Sequence, residues 1–516
     1  MNEPPMHQPP MHQPRLHVRP SRAAGRVIAL LTVATLCSCA IGPNYKRPVM
    51  ETPQHYKNVI ATTPTVSPPD EWWTMFHDPM LDQLINEVDV SNQNLAEAAA
   101  AYDEAVAAVS EARSTFFPSL GASAEAERVK SGVGANSFST LGSPGSPGSS
   151  GSGSSTYSTY QLSGTATWEL DVWGQLRREL ENAKETARAD LADIAYARLS
   201  AQDQLAAAYL ELRGEDAEAQ LLADSVTAYQ RTLQITVNRY KQGTVAKSDV
   251  LEAETSVYTA QQQEAAARLA RAQLEDSVAA LVGRPASDFH IAPRKDWNTT
   301  IPNFPIGVPT TLLRRRPDIM AAEHNVAAAN AEIGVEEANY FPQLTLTGSY
   351  GFLSESLGTL FEAVNRTRDA ALSASDTIFN FGGTQAKVAE ARATYHQSVA
   401  TYFETILTAF QDVENDLAAI DWDKKQYDIL KEDADAASEN LQLTINEYKA
   451  GTVDFTTVVV AQASDLSARL SLAQMTVSEQ TAAVSLVTDL GGGWKTAAAV
   501  QAAARTPVVA PTPTAQ

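Results

Sequence analysis

Apolar and polar residues alternate with two different periods along this chain, and the switches between them mark its elements. After Phe117-Pro118 the period is two: Leu120, Ala122, Ala124 and Ala126 alternate with Ser119, Gly121, Ser123 and Glu125. The same alternation returns at Tyr160, Leu162, Gly164, Ala166, Trp168 and Leu170, and again at Leu344, Leu346, Gly348, Tyr350 and Phe352. A weaker fourth segment lies around 370–381, where Ile378-Phe379 breaks the pattern. Strands of about ten residues with one apolar and one polar face carry the signature of transmembrane β-barrels. Four strands cannot close a barrel, because the smallest use about eight. The chain is therefore expected to pool strands with copies of itself, and three copies would supply twelve.

Between these strands the pattern is helical. From Trp173 to Lys241 there is no proline, and the only interior glycines are Gly174 and Gly214. Ala, Leu, Glu, Gln and Arg dominate, all good helix formers, and such a run would span roughly 100 Å as one helix. Thr384 to Lys449 repeats the design with neither Gly nor Pro inside. Returning helices are expected over 247–282 and 455–489, giving two long helical hairpins. Shorter Ala-rich helices over 80–114 and 317–338 precede the two Phe-Pro landmarks, and their small side chains suit close helix packing.

The two hairpins are copies. Tyr240-Lys241-Gln242-Gly243-Thr244-Val245 returns as Tyr448-Lys449-Ala450-Gly451-Thr452-Val453, 208 residues later. Trp173-Gly174 maps onto Phe381-Gly382 and Gly283 onto Gly491 with the same shift. Phe117-Pro118-Ser119-Leu120 maps onto Phe341-Pro342-Gln343-Leu344 with a shift of 224. Fixed spacing of this kind marks a duplicated architecture. The Gly/Ser-rich stretch at 130–156 absorbs the difference and reads as a flexible loop.

Charge and cysteine usage narrow the compartment. Residues 1–26 carry Arg15, Arg19, Arg22 and Arg26 with one acid, Glu3, and Val27–Leu36 is a mostly apolar run too short to span a bilayer. That is an export signal, and Leu36-Cys37-Ser38-Cys39-Ala40 at its end resembles a bacterial lipobox, which makes Cys39 the expected lipidated first residue of the mature chain. Ala40 after it favours transfer to the outer membrane by the same resemblance. Removing residues 1–38 takes four of the 39 basic and one of the 61 acidic residues, leaving 35 and 60, a net charge of −25. So acidic a chain argues against nucleic acid as a partner. With Cys37 lost and Cys39 acylated, no disulfide is available and the fold must stand on packing.

No catalytic pattern stands out along the sequence. The eight histidines form no HExxH and no metal-ligand spacing, and Glu323-His324 has no partner one turn away. Gly243–Ser248 only echoes a phosphate loop, with Ala246 where a glycine is required. No Gly-x-Ser-x-Gly elbow appears in the Gly/Ser tract. No enzyme activity, cofactor or metal is expected, and transport energy would have to come from a partner.

Together, Cys39-Ala40-Ile41-Gly42-Pro43-Asn44-Tyr45-Lys46-Arg47-Pro48, Trp72-Trp73 with Phe76, Leu313-Arg314-Arg315-Arg316-Pro317-Asp318-Ile319 and the two Gly-Thr turns resemble the TolC-like outer membrane efflux protein family. They point to its lipidated, NodT-type branch, which serves resistance-nodulation-division pumps. The resemblance covers roughly 39–494. It implies a mixed α + β membrane protein, internally duplicated, with four transmembrane β-strands per chain in a 12-stranded trimeric barrel and long periplasmic helical hairpins forming an α-barrel. A girdle would come from about 45–76, 284–312 and the residues near 420–440, segments where Pro, Trp and acids interrupt the helical pattern. The implied partners are a homotrimer, a periplasmic membrane-fusion adaptor, an inner-membrane resistance-nodulation-division pump and outer membrane lipid.

The resemblance also assigns residues. Gly243, Thr244, Val245, Gly451, Thr452 and Val453 carry over as adaptor-docking tips. Where relatives place acidic residues after the second tip, this chain has Thr457 and Val460, whereas Asp249 and Glu252 occupy those places in the first copy. A periplasmic gate of Thr and Val would work by sterics and dewetting rather than by charge. The expected organisation is a signal peptide (1–38), a lipidated extended segment (39–76), a first repeat (77–284), a linker (285–312), a second repeat (313–494) and a disordered tail (495–516). The function implied is a passive exit duct for drugs or other small solutes. A duct for type I protein secretion, a lipid-tethered periplasmic coiled coil and a hydrolase lipoprotein remain open at this point, the last disfavoured by the missing motifs.

Overall fold

The computed structural model describes residues 40–53, 55–57, 71–130, 156–294, 297, 301 and 315–492. The signal segment, Cys39, most of the Gly/Ser stretch, much of the linker and the C-terminal tail lie outside the described residues. The described residues form two compact units, one within 1–43, 114–179 and 333–388, the other within 44–113, 180–332 and 389–516.

The first unit is built on one antiparallel sheet. Its strands are β1 (Ser119–Lys130), β2 (Thr156–Glu169), β3 (Gln343–Ser354) and β4 (Arg366–Ser375), in the order β1-β2-β3-β4. Every residue of β4, and all of β1 except Val129, is exposed in the single chain. Among the described residues both edges are unpaired, so each offers a row of free backbone groups. At the end of β2, Trp173 stacks on Phe341 with centroids 4.9 Å apart, and its Nε1 donates to the Pro342 carbonyl at 2.8 Å. The fourth strand stops earlier than the alternation suggests. Phe381 (φ 54°) and Gly382 (φ 87°) leave the extended region, and Ile378, Phe379 and Phe381 stand exposed before the next helix.

The second unit is helical. Helices α1 (Pro79–Ser91) and α2 (Gln93–Ser114) replace the single helix expected over 80–114. Asn92 explains the break: buried at 4 % exposure, it accepts from the Leu95 N–H at 3.1 Å and donates to the Leu281 carbonyl at 2.7 Å, capping the second helix while tying it to a neighbour. The long helices are α3 (Gln175–Lys241, 67 residues) and α6 (Gly383–Ala450, 68 residues), with returning partners α4 (Lys247–Leu281) and α7 (Phe455–Asp489) and the Ala-rich α5 (Pro317–Ala338) between. Helix α6 runs unbroken through 420–440, correcting the expected interruption. No Gly or Pro occurs there, Trp422 is carried on the exposed face with Lys425 Nζ 4.2 Å above its ring, and most of the acids are exposed, while half-buried Asp423 accepts from Ser478 at 3.0 Å.

Trp72, Trp73 and Phe76 pack edge-to-face and seat a core with Leu81, Ile85, Tyr209, Leu212, Val278 and Val484. Beside it a buried polar chain links three elements. Tyr209 donates to Asp78 at 2.9 Å, Arg213 Nη1 pairs with Asp216 at 2.8 Å, and Arg271 bridges Asp216 (2.6 Å) to Glu275 (2.7 Å). Each charge is matched, as burial requires.

Gly283 and Gly491, equivalent in the repeat, end α4 and α7 with φ of 70° and 73°. The Arg284 N–H reaches the Ala279 carbonyl and the Gly492 N–H the Val487 carbonyl, the crossed pattern of a Schellman stop. A Cβ on Gly283 would lie 2.2 Å from the Ser91 carbonyl oxygen, whereas one on Gly243 would meet nothing within 4 Å. Gly243→Ala is expected to cost only the left-handed strain, about 1–2 kcal/mol. Gly283→Ala is expected to cost more, at least about 2 kcal/mol, because the backbone at Ser91 must also move. Denaturant titration of both variants side by side checks the ranking.

Candidate functional site: the hairpin tips

The two tips share a geometry that their shared sequence explains. Gly243 (φ 73°) and Gly451 (φ 79°) adopt the left-handed conformation that stops each long helix, and their N–H groups donate to the Tyr240 and Tyr448 carbonyls at 2.9 and 3.0 Å. The following threonine closes each stop twice. Thr244 sends both its N–H (3.0 Å) and its hydroxyl (2.9 Å) to the Arg239 carbonyl, and Thr452 sends both to the Glu447 carbonyl at 3.0 Å. Glycine is needed for the turn and threonine for the orphan carbonyl, so Gly-Thr recurs. Thr244 and Thr452 are exposed; Val245 and Val453 are half-buried.

After the turns the copies diverge. Helix α7 is capped by Asp454, which accepts from the Thr457 N–H (3.1 Å) and hydroxyl (2.7 Å), whereas Ala246 caps α4 without a side-chain bond. Those two donors hold the Asp454 carboxyl below the usual aspartate range. Thr457 is thus tied into a cap, and Val460 stands 64 % exposed one turn on. Asp249 lies in the first turn of α4 and accepts from Ser248 at 3.1 Å. Glu252 lines a groove of about 520 Å³ between α4 and α7, floored by Tyr229 and walled by Gln263, Gln462 and Leu466. The four gate candidates are therefore spread over two helices.

Sequence reasoning missed a residue that joins the two tips. The Arg239 guanidinium lies 4.4 Å above the Tyr448 ring and donates to the Tyr448 carbonyl, while the Tyr448 hydroxyl meets Thr236 Oγ1 at 3.3 Å. Tyr448 is 2 % exposed, but its repeat equivalent Tyr240 is 44 % exposed. The available signal was the charge reversal at equivalent positions, Arg239 against Glu447.

Next to the lipidation candidate, the described chain begins at Ala40 and is held firmly. The Ile41 N–H donates to the Trp173 carbonyl at 3.0 Å, and Arg178, 3 % exposed, donates to the carbonyls of Ile41 (3.1 Å) and Gly42 (3.2 Å). Gly42 (φ 97°) passes so close to Gly334 that a Cβ would lie 2.4 Å from its Cα.

Among the described residues, no group of three His, Cys, Asp or Glu is arranged to hold a metal ion. No helix among them is long and apolar enough to cross a membrane. His324 Nδ1 lies 2.8 Å from Glu185 Oε2, an ordinary pairing between helices.

Known proteins share this architecture. The family described as "Outer membrane efflux protein" matches residues 84–284 and 308–492. The probable efflux pump outer membrane protein TtgC of Pseudomonas putida is 30% identical over 469 residues, which cover 90% of this chain and 94% of that protein. Nodulation protein T of Rhizobium leguminosarum bv. trifolii is 28% identical over 444 residues, covering 85% and 91%. Among solved structures, the open state of the Neisseria gonorrhoeae MtrE outer membrane channel superposes with a TM-score of 0.75 at 27% identity, covering 88% of this chain and 98% of that one. With matched residues in both repeats and an unpaired strand at each edge of its sheet, the chain belongs to the outer membrane efflux protein family and is an outer-membrane channel for efflux.

Proposed function

We propose that three copies of the chain assemble into a passive duct whose tips receive a periplasmic membrane-fusion adaptor. The observation that carries this reading is the four-stranded sheet with both edges unpaired, in a chain whose two repeats each end in the same Gly-Thr tip. Three sheets joined edge to edge make a closed wall of twelve strands and leave no free edge. The long helical hairpins form the periplasmic part of the duct. The adaptor connects them to an inner-membrane pump of the resistance-nodulation-division class, which supplies the energy and selects the drugs or other small solutes. Cys39 carries the lipid anchor, and the bonds from Arg178 support the reading by fixing the chain just after it.

Six tips per trimer, each presenting an exposed threonine on a rigid stop, give six similar docking surfaces. Gly243, Thr244 and Val245 form one kind, and Gly451, Thr452 and Val453 the other. At the gate, Val460 is the exposed apolar group of the set, which supports a steric constriction; Thr457 contributes through its cap, and Asp249 and Glu252 supply charge on the other hairpin.

The test is photo-crosslinking in cells from Thr244 and Thr452, with captured partners identified by mass spectrometry. A membrane-fusion adaptor captured from both positions, and not from exposed Tyr196 far along α3, is the expected result. Capture of adaptor from Tyr196 alone, or only of other copies of this chain at the tips, would remove the docking role.

A further inference from the structure

Where α4 and α7 run side by side over Tyr229 of α3, they do not close on each other. The groove of about 520 Å³ between them has the size of a small-molecule site. Short side chains leave it open: Ser256 on α4 and Ala463 and Ser467 on α7 line a gap that longer ones would fill. Val459, Leu466 and Leu470 make one wall apolar, and Glu252 is the single charged residue among the described residues that line it. Several of the polar groups are already spent. The Tyr229 hydroxyl donates to the Gln462 carbonyl at 2.9 Å, Gln462 Nε2 donates to Thr232 Oγ1 at 3.3 Å, and the Thr255 and Ser256 hydroxyls turn back to their own helix. Gln263 Oε1 differs from these, being buried with no hydrogen-bond partner. An unpaired buried acceptor is costly to keep.

The hairpin fold itself does not call for these groups. Advanced by the repeat shift of 208, Tyr229, Glu252 and Gln263 become Ala437, Val460 and Ser471, and the second hairpin forms without them. Along α4, Glu252 and Gln263 lie roughly 16 Å apart, about the length of a twelve-carbon chain.

We propose that this groove binds an elongated aliphatic amine, its ammonium on the Glu252 carboxylate, its alkyl chain along Val459, Leu466 and Leu470, and a second N–H donor on Gln263 Oε1. No cation in the lining competes for the carboxylate, so the ammonium gains a charge-assisted hydrogen bond there. The alkyl chain gains by leaving water, and the far donor satisfies the unpaired oxygen. Because α4 belongs to the first hairpin and α7 to the second, the occupant ties the two hairpins together near their tips. The inference goes beyond the adaptor docking proposed above, since the whole site lies within one chain.

The probe is 12-aminododecanamide, a monocation with amide N–H donors at its far end. It is titrated by calorimetry into the full chain in detergent, with the A463F protein in the same detergent as the baseline for partition into micelles. Ala463 is exposed, so a ring there fills the groove without entering the core, and circular dichroism checks that each variant is folded. Saturable binding of one molecule per chain to the parent, and none to A463F, is the expected result. E252Q is expected to weaken binding on the order of tenfold, the weight of a hydrogen bond to a charged group, and Q263L severalfold. Equal uptake by the parent and A463F, or none by either, overturns the site. Unchanged affinity in E252Q overturns the recognition of amines. A chain that is monomeric by light scattering yet still binds the probe removes the assembly proposed above and upholds this site.

Discussion

Replacing Arg316 by alanine is expected to destabilise the fold by about 3–5 kcal/mol, because it breaks a buried charge pairing from one side. Arg316 is 8 % exposed and sits among several carboxylates. Its Nη2 pairs with Asp318 at 2.8 Å, its Nη1 with Asp489 at 3.0 Å, and Asp412 stands 3.8 Å away. These contacts fasten the start of α5 to the end of α7 and the middle of α6. Without the guanidinium the carboxylates remain half-buried and face each other, with Asp416 and Asp203 close behind. Arg316→Lys is expected to recover only part of the loss, since one ammonium cannot serve the same fork of acceptors. Denaturant unfolding of the helical signal in detergent checks both variants. A loss below about 0.5 kcal/mol, the size of an ordinary surface change, would show that the cluster is not a stabilising joint.

The second large effect is a loss of stability as pH rises. Asp416 on α6 and Asp489 on α7 face each other within hydrogen-bond reach, which two carboxyl groups can share only if one keeps its proton. Burial, reinforced by the charge of Asp489, pushes the Asp416 carboxyl up to about 8, and burial raises Asp489 as well. In the unfolded chain an aspartate releases its proton near the ordinary value of about 3.9. Between those values the folded state holds the extra proton, so unfolding releases it and stability falls as pH rises. The contribution is complete below about pH 4 and is lost as pH passes about 8, where Asp416 ionises. Asp416→Asn supplies a hydrogen-bond donor without a titrating proton, so the melting temperature should change less between pH 5 and 8.5 in that variant. Glu215, pushed up to about 7 by burial and by Glu218 and Glu211, keeps some slope in both proteins. Parallel pH profiles for the variant and the parent would refute the shared proton. The Arg316→Ala loss should shrink at acid pH, where its stranded carboxylates take up protons.

Period and spacing along the chain were enough for the elements and for the duplication. A strand with one lipid-facing side must alternate, a helix of nearly seventy residues must avoid Pro and nearly all Gly, and a helix stop in the left-handed region calls for a glycine. These demands are local, so they are written locally, and Tyr-Lys-x-Gly-Thr-Val stands out twice. Four amphipathic strands are too few to close on themselves, so the pattern alone already led to an expected assembly of copies. Local pattern was less informative at boundaries set by neighbours. Asn92 breaks a good helical run because its amide is held by the Leu281 carbonyl, 189 residues away in sequence. The acids and Trp422 near 420–440 looked like an interruption, yet they leave α6 intact because they lie on a solvent-facing side of it.

At the tips, the glycines and threonines were legible because the turn itself demands them. The Arg239–Tyr448 contact was not, since it joins residues 209 apart whose pairing depends on how the two hairpins lie together. The same holds for the cluster around Arg316: the Arg-Arg-Pro-Asp run is visible in sequence, but Asp412, Asp416 and Asp489 reach it only through the packing of α6 and α7. Sequence alone determined the repeat and the strand count, because periodicity and glycine conformation act over a few residues. Only the tertiary structure decided which carboxylate keeps its proton and which tyrosine is covered, because desolvation and charge pairing depend on distances between residues far apart in the chain.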